Sequence, residues 1–215
     1  MSKPSAEAFD ADYFERGVET GKSLYSNFRW MPELTIPLAA DICWQLDIPY
    51  GAKILDYGCA KGYLVHALRL LHRAAWGVDA SEYAISKAPA EVRRFLWCEA
   101  GVKSYSLPHP FDWIIAKDVL EHHYEDELRV ALDRFRRIGR NILVIVPLGD
   151  GEKYHVPAYE RDVTHRLRKP LGWWTDAVKA AGFEDVVGST KMPHVKANYS
   201  AYEEGNGFIV ARRDK

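Results

Sequence analysis

The sequence has few cysteines, no excess of charge of either sign and no long hydrophobic run. Its three cysteines, Cys43, Cys59 and Cys98, lie far apart without metal-site or disulfide spacing, which predicts a reducing compartment. A formal net charge of -1 provides no general attraction to nucleic acid or to an acidic membrane surface. No stretch approaches the roughly 20 apolar residues of a membrane span, and residues 1–7 contain no signal-peptide-like segment. We therefore expect a cytoplasmic protein without a membrane span or a nucleic-acid partner.

The length and composition are typical of one globular domain. The 215 residues are 47% hydrophobic and 27% charged, and they contain no internal repeat or composition break. Aromatic residues are dense in residues 9–50, where helical patterns precede the first strand. We predict a helical cap or lid over residues 1–50 and a single unit over residues 51–215. A cap would cover the sheet edge, whereas a lid would exclude water from a reaction.

A short apolar run that ends in an acid and in closely spaced small residues organises the chain. The run I-L-D-Y-G-C-A-K-G at 54–62 predicts a strand and a tight turn, and a helical pattern begins at once. Gly58 and Gly62 can adopt backbone angles closed to other residues. Asp56 can accept hydrogen bonds at the end of the strand. This layout allows a backbone to approach a nucleotide closely.

Strands and helices then alternate. Strands are predicted at 53–58, 74–79, 92–98, 111–116, 141–147, 183–189 and 207–212, and helices at 61–72, from 82 onward, 125–138 and 170–181. Such alternation predicts a doubly wound α/β fold, a parallel sheet with an antiparallel hairpin at one edge. Asp79 ends the second strand about 20 residues beyond the glycine turn, where nucleotide-binding folds place an acid on the ribose hydroxyls.

Four ordered features carry a family resemblance. They are D-x-G-x-A-x-G at 56–62, Asp79, the run F-D-W-I-I-A-K-D-V-L-E-H-H at 111–123, and D-x-x-H at 162–165 followed by a helix and A-G-F at 181–183. Over residues 50–213 the chain resembles class I S-adenosylmethionine-dependent methyltransferases. The usual first motif is D/E-x-G-x-G-x-G, so Ala60 replaces the middle glycine. The resemblance implies a Rossmann-like, mostly parallel seven-stranded sheet and S-adenosyl-L-methionine as cofactor.

The resemblance also implies a set of cofactor-binding residues. Glu99, at the end of the third strand, corresponds to the group that contacts the adenine. Tyr25 and Arg29 would lie one turn apart on an N-terminal helix, and Arg29 could pair with the cofactor's carboxylate. The complete expected set is Asp56, Gly58, Ala60, Gly62, Asp79, Ala80, Glu99, Lys117, Asp118, Tyr25 and Arg29.

The expected acceptor is a small, polar, sugar-like molecule methylated on oxygen. Residues 13–30 resemble the leader of bacterial methyltransferases of surface-polysaccharide or related sugar biosynthesis. A hydroxyl acceptor must lose its proton as it attacks, which requires a general base. The predicted candidates are His165, then His123, then His155, the first and last of which lie in a long polar connection at 148–169. His123, like His122, could instead cap the following helix.

Several alternatives stay open at this point. Some sugar methyltransferases use a divalent cation, and Asp118, Asp150, Asp162 and His165 would be plausible ligands; without a ligand signature we predict no metal. The acceptor could be RNA or protein, although the chain has no N-P-P-[YF] motif after the fourth strand. The chain could be a non-catalytic cofactor-binding subunit or an NAD-dependent dehydrogenase. A homodimer is compatible with the sequence.

Overall fold

The computed structural model of the chain describes residues 6–99 and 110–212. Its strands are β1 Lys53–Tyr57, β2 Ala74–Asp79, β3 Leu96–Cys98, β4 Phe111–Lys117, β5 Gly139–Pro147, β6 Asp185–Ser189 and β7 Asn206–Arg212. Its α-helices are α1 Ala11–Thr20, α2 Pro32–Gln45, α3 Tyr63–Leu70, α4 Glu82–Ser86, α5 Ala90–Arg93, α6 Glu125–Ile138 and α7 Leu171–Ala180. Short 3₁₀ segments lie at Ala6–Ala8, Leu120–His122, Pro157–Arg161 and Ala197–Tyr199. The run L-P-H-P at 107–110 predicts a turn before the fourth strand, and Ala100 follows the third strand; Ala100 and the first three residues of this run lie outside the described residues.

The seven strands form one sheet in the order β3-β2-β1-β4-β5-β7-β6. Strand β2 pairs in parallel with β1 and β3, and β4 pairs in parallel with β5. Strand β7 runs antiparallel to both β5 and β6. The predicted doubly wound, Rossmann-like sheet with an antiparallel C-terminal hairpin is therefore confirmed. None of the helices in the described ranges is both long enough and apolar enough to cross a membrane.

The described chain divides into two compact units. Unit 1 contains residues 6–99 together with 161–164, and unit 2 contains residues 110–160 and 165–212. The boundary that the sequence analysis proposes after residue 50 stays a prediction.

Unit 1 is built on β1 and β2 and on the helices that follow each of them. Ile54 and Leu55 are buried in β1, and the helical pattern begins at Tyr63 directly after the turn. Ser81 caps α4 as predicted, because its side chain accepts a hydrogen bond from the backbone N–H of Ala84.

Unit 2 is built on β5, whose residues 142–146 are completely buried, as the continuous apolar run predicts for a central strand. Helix α6 has the predicted bounds and buries Leu128, Leu132 and Phe135. Its first turn is fixed where the carboxylate of Glu127 accepts a hydrogen bond from the backbone N–H of Tyr124 at 3.0 Å.

Two sequence predictions are wrong in their local detail. The third strand begins at Leu96, not at residue 92, because Pro89 starts the short helix α5 at 90–93. Tyr25 and Arg29 do not lie one turn apart on a helix. Helix α1 ends at Thr20 and is closed by Gly21 in the left-handed conformation (φ 68°), so the chain is irregular from there to residue 31.

Gly62→Ala is expected to destabilise the protein by about 2–3 kcal/mol. Gly62 has a φ of 72°, and an added Cβ would lie 2.5 Å from Cδ1 of the buried Leu96. Gly21→Ala is the matched control, since Gly21 has a similar φ of 68° but no atom within 4 Å of the added Cβ. The control should cost only the backbone strain, about 1 kcal/mol. Chemical denaturation measures both, and equal losses would contradict the packing argument.

Candidate functional site

The turn after β1 is held in left-handed conformations at alternate residues. Gly58 has a φ of 78°, Ala60 of 49° and Gly62 of 72°. The backbone N–H groups of Gly58 and Cys59 donate to the carbonyl of Val78 at 2.9 and 3.0 Å, which fastens the turn to the end of β2. Ala60 thus adopts the conformation for which the usual motif provides glycine, at a cost of about 1–2 kcal/mol in backbone strain.

Asp79 lies at the end of β2 and binds the turn through both carboxylate oxygens. Oδ2 accepts a hydrogen bond from the N–H of Ala60 at 2.7 Å, and Oδ1 accepts one from the N–H of Ser81 at 2.8 Å. Burial raises the pKa of Asp79 to about 6, although these backbone hydrogen bonds oppose the shift; the nearby charge of Glu99 adds to it. Each carboxylate oxygen retains a lone pair that can accept a ribose hydroxyl.

S-adenosylhomocysteine is expected to bind about 10-fold more weakly at pH 5 than at pH 7.5. The pKa of Asp79 is about 6 against an ordinary value of 3.8. Without ligand, the folded protein therefore loses stability as pH rises from 3.8 through about 6, because its buried carboxyl ionises less readily than that of the unfolded chain. A ribose that donates hydrogen bonds to the ionised carboxylate reverses this preference. The ligand-induced rise in Tm should therefore be larger at pH 7 than at pH 5. Titration calorimetry across this range tests the slope, and an Asp79→Asn variant with the same pH profile would contradict the assignment.

The other predicted residues of unit 1 surround this turn. Asp56 is buried in β1. Glu99 is half-buried and accepts a hydrogen bond from the hydroxyl of Tyr57 at 3.3 Å, and the carbonyl of Ala80 lies 3.6 Å from Sγ of Cys98. Burial raises the pKa of the Cys59 thiol well above its ordinary value, which indicates a structural rather than a nucleophilic cysteine.

The N-terminal segment of unit 1 is tied to the turn by Lys61. This side chain is buried, and its Nζ donates to Oε1 of Glu15 and to the carbonyl of Phe28, both at 2.5 Å. Glu15 also accepts the hydroxyl of Tyr83 at 2.9 Å. Burial opposes ionisation of Glu15, yet the hydrogen bonds from Lys61 and Tyr83 lower its pKa. The lysine of the turn therefore anchors α1 and the segment after it.

Aromatic rings pack around the same segment. Tyr25 lies 4.7 Å from Phe28 and 5.6 Å from Tyr13 between ring centroids, and Phe28 lies 5.2 Å from Tyr63 at the start of α3. The predicted cofactor contact of Tyr25 stays a prediction, as does that of Arg29, whose side chain is exposed.

Lys61→Met is expected to destabilise unit 1 by about 2 kcal/mol, because it removes a buried charge that holds a carboxylate and a carbonyl. Lys22→Met is the control. Lys22 pairs with Asp10 and Asp12 near the surface, where such pairs contribute about 0–1 kcal/mol. Chemical denaturation, with limited proteolysis of the N-terminal segment, compares the two variants. Equal effects would show that Lys61 does not anchor the segment.

Residues 161–164 are fixed to α1 within unit 1. The buried carboxylate of Asp162 accepts hydrogen bonds from the hydroxyl of Tyr13 at 2.8 Å, from the N–H of Thr164 at 2.9 Å and from its hydroxyl at 2.5 Å. The N–H of Val163 donates to the carbonyl of Lys22 at 3.1 Å. Burial, with the charge of Asp162, raises the pKa of Tyr13 well above its ordinary value. Tyr13 therefore stays a hydrogen-bond donor.

In unit 2, Asp118 follows β4 and lies between two lysines. Oδ2 of Asp118 accepts a hydrogen bond from Lys117 at 2.5 Å, and Oδ1 lies 2.7 Å from Nζ of Lys196. Burial opposes ionisation, but the two lysines hold the pKa of Asp118 well below its usual range. Asp118 has a left-handed φ of 54°. Both predicted residues thus lie in one charged cluster, and Lys196 is a member that the sequence analysis missed.

Two tyrosines complete the cluster around Lys196. Nζ of Lys196 lies 3.3 Å from the hydroxyl of Tyr159 and 5.3 and 5.5 Å from the ring centroids of Tyr159 and Tyr199. Burial, with the charge of Asp118, raises the pKa of Tyr159 well above its ordinary value. Its hydroxyl donates to Oδ1 of Asn206 at 2.7 Å. The cluster offers hydrogen-bonding groups beside aromatic rings.

The three histidines predicted as bases lie in different surroundings. His165 is buried, with Nε2 3.9 Å from Oε1 of Glu121 and its ring 4.8 Å from the ring of His122. Nδ1 of His123 lies 3.2 Å from the carbonyl of Val119, as a ring that caps the local turn would. Nδ1 of His155 lies 3.0 Å from the carbonyl of Glu204.

Comparison with known proteins identifies the class of domain. Residues 54–141 match a family model described as a methyltransferase domain. No curated protein sequence matches the chain.

The solved structures similar to this chain share its fold at low sequence identity. One is a SAM-dependent methyltransferase from Archaeoglobus fulgidus, 16% identical, with a TM-score of 0.60 and coverage of 81% of this chain and 93% of that one. Another is magnesium protoporphyrin IX methyltransferase from Synechocystis with bound SAH, 14% identical, with a TM-score of 0.63 and coverage of 97% and 98%. A third is phosphoethanolamine N-methyltransferase 2 from Haemonchus contortus in complex with S-adenosyl-L-methionine, 16% identical, with a TM-score of 0.67 and coverage of 98% and 60%. Residues 54–141 therefore form part of a methyltransferase domain, and the chain has the Rossmann-like fold of these S-adenosylmethionine-dependent methyltransferases.

Proposed function

We propose that this methyltransferase transfers the methyl group of S-adenosylmethionine to a hydroxyl oxygen of a small, polar, sugar-like acceptor. The observation that carries the proposal is His165, a buried imidazole beside the carboxylate of Glu121, with the ring centroids of Tyr154 and Tyr159 at 5.2 and 6.2 Å from its own. Aromatic faces with nearby hydrogen-bonding groups suit a polyhydroxylated ligand better than a purely apolar one.

The methyl donor leaves little covalent work to the protein. A sulfonium carries its own leaving group, so catalysis consists of positioning the acceptor oxygen in line with the methyl carbon in a site that excludes water. In unit 1, Asp79 and the 58–62 turn hold the cofactor through hydrogen bonds. An alcohol has a high pKa and must lose its proton as it attacks, and we assign the activation of this oxygen to His165.

A transfer assay with isotopically labelled S-adenosylmethionine tests the proposal. Nucleotide sugars, free sugars and glycolipids are the expected acceptors, and phosphoethanolamine, tRNA and a mixed protein substrate are the comparators. Each acceptor is assayed with chelator and with Mg²⁺, Mn²⁺ or Zn²⁺. We expect the label on a sugar oxygen, located by mass spectrometry. Labelling confined to RNA, protein or an amine would overturn the acceptor class, as would the absence of labelled sugar under every metal condition.

A further inference from the structure

Three potential metal ligands from two distant segments of the sequence come together in unit 2. Glu121, His122 and His165 each place one donor atom within 4.8 Å of the donor atoms of the other two. Glu121 is 1% exposed and His165 is 7% exposed, so two of the three are withdrawn from solvent. A buried carboxylate next to imidazole nitrogens is typical of a site for a cation or for an ion pair.

Backbone hydrogen bonds hold these ligands in place without involving their side chains. The N–H groups of Arg166 and Leu167 donate to the carbonyl of Glu121 at 2.7 and 3.0 Å. They attach the segment that carries His165 to the 3₁₀ segment Leu120–His122, which carries the other two ligands. The site is thus organised before any ligand binds, which lowers the cost of binding.

We propose that Glu121, His122 and His165 bind a first-row divalent transition metal ion, for which Zn²⁺ is the reference. Two imidazoles and one carboxylate suit Zn²⁺, Co²⁺ or Mn²⁺, whereas Mg²⁺ and Ca²⁺ prefer oxygen ligands alone. Donor atoms about 2.1 Å from one tetrahedral ion lie about 3.4 Å apart. The donor atoms here lie within 4.8 Å of one another, so the largest separation must shorten by up to about 1.4 Å when the ion binds, which side-chain rotation can supply.

The acids that the sequence analysis named as plausible ligands have other partners. Asp118 binds Lys117 and Lys196, and Asp162 binds Tyr13 and Thr164. Asp150 accepts hydrogen bonds from the N–H groups of Glu152 and Lys153, each at 2.8 Å. His165 alone of that set belongs to the proposed site.

Three protein ligands leave at least one coordination position for water or for an oxygen of a ligand. An alcohol oxygen bound there would lose its proton more readily, because the ion stabilises the alkoxide. In that state His165 activates the acceptor as a metal ligand. This catalytic role rests on the proposed function, whereas metal binding itself does not.

The binding test uses the full chain after chelation and dialysis. Titration with Zn²⁺ by calorimetry, and with Co²⁺ by visible absorption, should give one equivalent at a single site. Glu121→Gln and His165→Asn should each weaken binding at least 10-fold. His72→Asn is the matched control, since His72 is exposed in unit 1 and asparagine tolerates its left-handed φ of 58°. Retained binding of S-adenosylhomocysteine by each variant shows that it is folded.

Absence of stoichiometric Zn²⁺ and Co²⁺ binding would overturn the proposal and leave Glu121 and His165 as a buried carboxylate–imidazole pair. Binding that both variants leave unchanged would also overturn it, by placing the ion elsewhere. A methyl-transfer assay of stripped and Zn²⁺-loaded protein separates the two proposals. Zn²⁺ binding without any sugar methylation would refute the proposed function but support the metal site. Equal sugar methylation by metal-free and Zn²⁺-loaded protein would support the proposed function but refute a catalytic role for the metal.

Discussion

Replacing Asp79 by alanine is expected to weaken S-adenosylhomocysteine binding by about 2–3 kcal/mol, or about 30- to 150-fold. The ionised carboxylate can accept two hydrogen bonds from the ribose hydroxyls, and bonds to a charged acceptor are the stronger kind. The substitution also releases the N–H groups of Ala60 and Ser81, which Asp79 binds at 2.7 and 2.8 Å. The turn would then be less well organised for the cofactor. Titration calorimetry with S-adenosylhomocysteine, with NAD as a second ligand, measures the effect.

Asp41→Ala is the control for this titration, because Asp41 lies on α2 in the same unit but outside the turn. It should bind S-adenosylhomocysteine as the unmodified protein does, and neither protein should bind NAD. An unchanged dissociation constant for Asp79→Ala would refute the ribose assignment. Tight NAD binding that Asp79→Ala abolishes would mean that the turn binds NAD in place of S-adenosylmethionine.

The features that the sequence predicts best are local. Helix α6 and β2 have the predicted bounds because each is specified within its own residues, α6 by a buried apolar stripe and β2 by an apolar run that ends at Asp79. The turn at 58–62 is predictable for the same reason. The left-handed conformation of Ala60 is harder to predict. Its backbone strain is offset by the hydrogen bond from its N–H to Asp79, which forms only in the folded chain.

The features that the sequence could not predict depend on contacts between distant residues. The composition around Val92 predicts a strand, but a helix begins after Pro89 and includes this residue. Lys196 carries no motif, and its position beside Asp118 results from the fold of the C-terminal connection. The same holds for Glu121 and His165. Each falls in a recognisable run, but the two come together through contacts formed in the folded chain, such as the backbone hydrogen bonds from Arg166 and Leu167 to Glu121.

His165→Asn is expected to reduce kcat for methyl transfer by about 10²- to 10⁴-fold, the range for losing a group that activates an attacking oxygen. Binding of S-adenosylhomocysteine should change by less than about 3-fold, since His165 is assigned to the acceptor and is not among the predicted cofactor residues. KM for the acceptor should change much less than kcat if His165 acts mainly in the transition state. Steady-state kinetics with the sugar acceptor from the labelling assay measures the two constants separately.

The kcat values of His123→Asn and His155→Asn, measured under the same conditions, show which of the three predicted histidines contributes most to methyl transfer. We expect losses below about 10-fold for both, because one ring nitrogen of each lies within hydrogen-bonding distance of a backbone carbonyl, of Val119 and of Glu204 respectively. His72→Asn, in unit 1, should leave kcat unchanged. If His123→Asn or His155→Asn lost as much activity as His165→Asn, activation of the acceptor would have to be reassigned. A His165→Asn variant with normal kcat would contradict the proposed role of this residue and would not bear on the predicted cofactor residues of unit 1.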